Sequence, residues 1–215
     1  MRYAILSDVH GRLPALETVL ADALRRGAEI IVSLGDVGSD ACFDLLREAG
    51  AVGVFGNWEV SRWGDLSPAN REYVLSLPPL LNHDSFLAVH AAPLYPAHLA
   101  SVVDFLDYIV DAGLKWRQVF PYLDEDEEAI WQTVAELEMR GQALLFHGQT
   151  QRQVVGLVEP TGHLTRLRGE SLTLSDQRRH IVGVGSVGQP EDGPWPSYAL
   201  YDDEQNLVTL VRMRR

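Results

Sequence analysis

Residues 3–6, Tyr3-Ala4-Ile5-Leu6, form an uncharged apolar run that stops at Ser7, Asp8, Val9, His10 and Gly11. So short a run without polar alternation predicts a strand buried on both faces, as in a parallel sheet. Leu13, Leu16, Val19, Leu20 and Ala23 then recur at helical spacing, with Pro14 in the first turn and Gly27 as the stop. That pattern predicts a helix. The unit then repeats. Residues 29–34 predict a second buried strand ending in Gly35-Asp36-Val37-Gly38, and residues 40–48 a short helix. Residues 51–55 predict a third strand, ending in Gly56-Asn57-Trp58-Glu59. Strand, polar turn and helix in succession are the βαβ signature of a helix-covered parallel sheet, whose ligand site lies beyond the carboxyl ends of the strands.

Residues 60–77 predict another helix, with Leu66, Tyr73, Val74 and Leu77 inward, ended by Pro78 and Pro79. Residues 80–90 predict two strands around a tight turn at 82–85, the second ending on His90. Residues 91–140 are irregularly helical and read as a helical insertion that could cover a site. Its acidic run at 124–128 suits a helix start through the macrodipole and needs no ligand to explain it. Residues 143–147 predict a buried strand ending in Gly148-Gln149-Thr150-Gln151. Beyond it, residues 154–158, 163–167, 171–174, 180–184, 197–201 and 207–212 have strand texture between Pro, Gly and Asp turns. With no solenoid repeat and no low-complexity linker, one α/β domain over 1–215 is expected, with two packed sheets and helices outside.

Composition narrows the function classes. The formal net charge of -12 opposes binding to a nucleic-acid backbone, so no nucleic-acid partner is expected. A small phosphorylated substrate stays open, because bound cations reverse the local field. Cys42 is the only cysteine, which excludes an intrachain disulfide and suits a reducing compartment. The amino terminus enters a strand without a secretory leader, and no apolar run is long enough to span a bilayer. A cytoplasmic protein without membrane contact is therefore expected.

The chemistry gathers at the strand ends. Asp8 and His10 are two apart, so in extended backbone both would leave one face. They read either as a pair of metal ligands or as a helix N-cap beside a loop histidine. Asp36, Asn57, His90 and the 148–151 turn follow in order, each where a parallel sheet would bring it to a common rim. Two divalent cations about 3.5–4 Å apart can clamp a phosphate and activate water, and a shared carboxylate offsets their repulsion. Asp36 is the natural bridge. Asp8 and His10 would complete one site, Asn57 and His90 the other.

The order Asp8-x-His10, Gly35-Asp36, Gly56-Asn57, His90 and a Gly-x-Thr-x turn at 148–151 resembles the calcineurin-like metallophosphoesterase superfamily. The likeness is greatest to its small bacterial and archaeal phosphodiesterase branch, and residues 185–199 resemble a tail motif of that branch. The resemblance implies a four-layer αββα sandwich of two mixed β-sheets flanked by helices. It implies two divalent ions; the glutamines that stand in the closing turn shift the preference from zinc toward manganese, magnesium or ferrous iron, manganese favoured, with one site only partly occupied as an alternative. Their ligands would be Asp8, His10 and Asp36, then Asp36, Asn57 and His90, with Gln149 and Gln151 contributing weakly. Asp36, Asn57 and His90 would also be the catalytic residues.

Three positions depart from the family pattern. Its closing turn is usually Gly-His-Thr-His, whereas Gln149 and Gln151 stand here. Glutamine offers a harder, weaker ligand than imidazole. Trp58 occupies the place of a histidine that assists the leaving group, and indole cannot donate a proton in this pH range. Glu59 follows and would point elsewhere from an extended chain. His147 is either a substitute ligand or a strand-end histidine bonded to a backbone group, the second being favoured. His83, His98, His163 and His180 are expected to be structural or exposed, with His98 alone able to reach a substrate from the insertion. The expected function is metal-dependent phosphoester hydrolysis, as a phosphodiesterase or phosphomonoesterase, by in-line attack of a metal-bridging hydroxide. The alternative is a degenerate member that binds a phosphorylated ligand or a protein partner without hydrolysis.

Overall fold

The computed structural model describes residues 1–167, 171–175 and 177–213. The first sheet is built on three strands followed by helices: β1 (Arg2–Leu6), α1 (Leu13–Arg25), β2 (Ile30–Ser33), α2 (Asp40–Glu48) and β3 (Val52–Gly53). Then come α3 (Asn57–Arg62), α4 (Pro68–Ser76), the hairpin β4 (Leu80–His83) and β5 (Phe86–Val89), and the helices α5 (Val102–Asp111), α6 (Trp116–Val119) and α7 (Glu127–Met139). The remaining strands are β6 (Leu144–His147), β7 (Gln153–Val158), β8 (Leu164–Leu167), β9 (Ser171–Thr173), β10 (Arg179–Val184), β11 (Ser197–Asp202) and β12 (Leu207–Arg212). Among the described residues these form two six-stranded mixed sheets, ordered β3-β2-β1-β11-β12-β9 and β4-β5-β6-β10-β7-β8.

The layers follow from side-chain alternation. On β1, Tyr3 and Ile5 pack between the sheets with Val32, Phe86, Phe146, Val182 and Tyr201. Ala4 and Leu6 face the other way, onto Leu16, Val19 and Leu20 of α1. Both faces are thus covered, so the strand reads as a continuous apolar run. On the outer face of the second sheet, Ile130, Val134 and Leu137 of α7 cover Leu87, Val89, Leu145 and Ile181. The result is the four-layer αββα sandwich.

Two expectations of local structure change. The helix predicted over 60–77 is broken into α3, a 3-10 turn at Trp63–Asp65 and α4. Pro68 opens α4 and holds Ser67 in extended backbone, which a continuous helix cannot accommodate. The third strand pairs only over Val52–Gly53, at the sheet edge, before the chain turns in to seat Gly56 against Asp36. Among the described residues no helix is long and apolar enough to cross a membrane.

Candidate metal centre

Strands β1, β2 and β3 run parallel, as do β5 and β6, so their carboxyl ends meet at one rim. The turns beyond them are not extended. Among the described residues six non-glycine positions have positive φ, and five of these lie on the rim: Asp8 (56°), His10 (47°), Asp36 (54°), Gln149 (61°) and Gln151 (56°). A left-handed conformation costs a residue with a β-carbon about 1–2 kcal/mol, and such strain gathers where the surroundings over-determine it. Here the surroundings are the neighbouring turns. Asp8 N–H donates to the Gly35 carbonyl at 3.1 Å and His10 N–H to the Asp36 carbonyl at 2.9 Å. The tail motif completes the brace, with Ser186 Oγ and Gly188 N–H both donating to the Asp8 carbonyl, at 2.8 and 2.9 Å. Gly56 and Gly148 are required by contact. A β-carbon at 56 would lie 2.3 Å from Asp36 Oδ1, and one at 148 would lie 1.9 Å from Ser7 Oγ.

These turns bring together an excess of acceptors. Asp8, His10 and Asp36 each offer a ligand atom, all within 4.8 Å of one another, as a group that could hold a metal ion. Asp8 Oδ1 is buried without a well-formed hydrogen bond, with His10 Nε2 3.5 Å away. His90 Nδ1 is 2.8 Å from the Leu34 carbonyl, which can only accept, so in the neutral ring the proton sits there and Nε2 presents a lone pair. That nitrogen faces Asn57 Oδ1 and Gln149 Oε1, each at 3.0 Å, and Asp36 Oδ1 at 3.5 Å. Three oxygens and a nitrogen converge at one point, a donor set that suits a cation of hard-to-borderline character in place of the protons. The floor of this rim is buried at Asp8, Asp36 and His90, while His10, Asn57, Trp58 and Gln151 are half-buried and open it to solvent.

The electrostatics agree. Burial pushes the Asp36 carboxyl up to about 7, opposed by the His90 charge and reinforced by Glu59 and Asp8. Burial disfavours the His10 cation, but the hydrogen bond and charge of Asp8, with Asp36 beyond, hold its pKa above the ordinary histidine value. His90 is raised too: the charges of Asp36, Asp8 and Glu59 outweigh its burial. Without a cation the cluster retains protons at these groups, and a divalent ion would take their place.

Over residues 1–206 the chain matches the calcineurin-like phosphoesterase superfamily domain. The chain belongs to that superfamily. A metallophosphoesterase from Sphaerobacter thermophilus superposes with a TM-score of 0.67 at 27% identity, over 100% of this chain and 89% of that one. An archaeal phosphodiesterase has the same fold at a TM-score of 0.54 and 14% identity, covering 99% of this chain and 100% of that one. Among curated proteins, the uncharacterized protein MJ0912 of Methanocaldococcus jannaschii is 26% identical over 222 residues, 98% of this chain and 86% of the relative.

Within that superfamily the departures of this chain acquire definite places. Gln149 is buried and turns its oxygen toward His90 Nε2, whereas Gln151 turns its amide nitrogen to His10 Nε2 at 3.1 Å. Trp58 opens no proton route; its backbone N–H donates to Asp36 Oδ1 at 2.8 Å. His147 is buried, with Nδ1 3.0 Å from the Gly148 carbonyl, and burial holds it neutral with a pKa of about 4. His98 and His163 are exposed, and His83 and His180 pair outside the rim, His83 with the Tyr3 hydroxyl and Ser85, His180 with the Ala143 carbonyl.

Two readings of the sequence are corrected by the geometry. Asp8 and His10 converge through left-handed turns and not because an extended strand puts them on one face. Glu59 does not point elsewhere. It sits in the first turn of α3, fully buried, and accepts N–H groups from Gly56, Asp36 and Val37 at 2.7–2.8 Å. The signal for it was an acidic residue three places after Gly56, the N3 position of a capping box. The Phe120 carbonyl, which takes the Gln149 amide at 3.2 Å, had no signal in the sequence.

Proposed function

We propose that the chain is a metal-dependent phosphoesterase whose rim holds two divalent cations, manganese favoured, and hydrolyses a small phosphorylated substrate. One observation carries the reading: acceptors from five chain segments converge, among them the buried Asp8 Oδ1, and they outnumber the protein donors that reach them, the Trp58 N–H on Asp36, the Gln149 N–H on Asp8 and the Gln151 amide at His10. Asp8, His10 and Asp36, with Gln151, would hold one ion; Asp36, Asn57, His90 and Gln149 the other. Such ions would supply an activated water and positive charge against the negative charge that builds on the phosphoryl oxygens in the transition state.

The chain's own groups supply placement. Asp36 spans the two halves, its Oδ1 held by the Trp58 N–H, while the Leu34 carbonyl fixes the tautomer of His90 so that Nε2 faces inward. Half-buried His10, Asn57 and Gln151 line the open side, through which a phosphoester would approach. No acid stands at position 58 to protonate a leaving group, so activated esters are the favoured substrates. A second reading rests on Gln151, whose N–H caps the His10 nitrogen that an ion would need: binding of a phosphorylated ligand or partner without hydrolysis.

Manganese content after loading, with assays on p-nitrophenyl phosphate and its bis ester, separates the two. Hydrolysis lost in Asp36→Asn supports the enzyme. Less than a tenth of an ion per chain with no such activity supports the binding protein.

A further inference from the structure

The two rim glutamines are not equivalent. A carboxamide has two nearly isosteric ends, and which end faces a ligand site is decided by what the other end meets. At Gln149 the other end meets the carbonyl of Phe120, which can only accept, at 3.2 Å. Nε2 is therefore committed outward, and Oε1 is left 3.0 Å from His90 Nε2. The backbone N–H of Gln149 is committed as well, to Asp8 Oδ2 at 3.0 Å. Among the described residues no such outer partner holds the Gln151 side chain, and its nitrogen faces the rim.

Phe120 belongs to the segment between α6 and α7 and is well anchored. It is buried, its ring stands edge-on to His90 with centroids 6.0 Å apart, and it stacks on Trp116 at 6.1 Å. A second tie joins the same two segments: Arg152, next to Gln151, pairs with Asp124 at 2.9 Å and Glu125 at 3.1 Å. Residues 120–125 are thus bolted to the closing turn at both of its flanks.

We propose that the Phe120 carbonyl is a positioning group that makes Gln149 an oxygen ligand, so that metal binding and docking of residues 116–125 are one coupled equilibrium. This rests on the reading of the rim as a metal centre. Because coupling is reciprocal, an ion bound at the Asp36, Asn57, His90 and Gln149 half quiets the segment, and a loosened segment weakens the ion. The ligand set is rich in oxygen, so manganese and magnesium gain over zinc at this half.

The test uses the full chain, stripped of metal and titrated with manganese or zinc, while hydrogen exchange is followed across residues 114–126. In the wild type, saturating manganese should slow exchange there several-fold. Gln149→Met, which keeps length but loses both polar ends, should lose about 10–100-fold in manganese affinity together with the exchange response. Gln149→His should reverse the preference toward zinc. Arg152→Met touches no ligand, yet should weaken manganese several-fold and speed exchange at 114–126, which keeps the test available if Gln149→Met fails to fold. Manganese bound by the wild type with exchange at 114–126 unchanged, or equal affinities in wild type and the Gln149→Met and Arg152→Met variants, would overturn the coupling and leave the metal reading standing. A wild type that binds no divalent ion overturns both.

Discussion

Asp36 and Glu59 hold each other's turns in register: the Glu59 carboxylate accepts the Asp36 backbone N–H at 2.8 Å, one residue beyond the Trp58 N–H that binds Asp36 Oδ1. The carboxylate proposed to bridge the rim is therefore aimed by a second, wholly buried carboxylate. Glu59 also takes the N–H groups of Val37 and Gly56, so three donors depend on one side chain.

Glu59→Ala should thus cost about 3–5 kcal/mol, because buried donors left unpaired are each worth about 1–3 kcal/mol and do not sum fully. Glu59→Gln should cost less, since one oxygen remains. Urea midpoints measured with metal removed report this loss. A Glu59→Ala midpoint within experimental error of wild type would show that the turns hold without it.

The pH dependence of the metal-free protein has a definite sign. Asp36, raised by burial to about 7, keeps its proton in the folded state where an unfolded carboxyl, at about 3.9, has lost it. The folded state then binds more protons, and stability falls as pH rises from about 4 through 7. His10 and His90, also held above the ordinary histidine value, lose their contribution as pH rises through their folded pKa values. Chelated protein should therefore melt lower at about pH 8 than at about pH 5.5, and saturating manganese should remove most of the difference. A metal-free Tm that climbs over this interval would contradict the assignment.

Gln151→His should improve both fold and metal binding. Position 151 has φ of 56°, where histidine is found more readily than glutamine. Imidazole in place of an amide N–H also removes the donor that faces His10. Zinc affinity should rise by about tenfold or more, with no fall in Tm. Competition titration decides it, and unchanged affinity would show that the side chain at 151 stays clear of the ion.

Trp58 should be visible in leaving-group dependence. With no proton donor there, turnover should fall steeply as leaving-group pKa rises from nitrophenyl to alkyl esters. Trp58→His keeps the backbone N–H on Asp36 and adds an acid worth about 10²–10⁴-fold at best. It should raise alkyl esters far more than aryl ones. Parallel slopes for the two proteins, with chemistry rate-limiting, would rule out this role.

Much of the architecture was already legible along the chain. Tyr3-Ala4-Ile5-Leu6 announces a strand covered on both faces, and its repeated pairing with a polar turn and a helix announces the parallel half-sheet. Asp8, His10, Asp36, Asn57 and His90 could be ordered on a rim because strand ends in a parallel sheet share one edge. These are local or periodic properties, written in the residues themselves.

What only the tertiary structure decided concerns direction. The left-handed turns at 8, 10, 36, 149 and 151 persist because neighbouring backbones brace them, and no residue type at those positions demands the conformation. Glu59 looked like a bystander until α3 folded it back under Asp36. Gln149 and Gln151 are the same residue two places apart, yet one turns oxygen to the rim and the other nitrogen. A carboxamide, whose acceptor and donor ends are nearly isosteric, carries no orientation of its own. The preference at 149 comes from a carbonyl 29 residues away, at Phe120, which the fold alone places within reach.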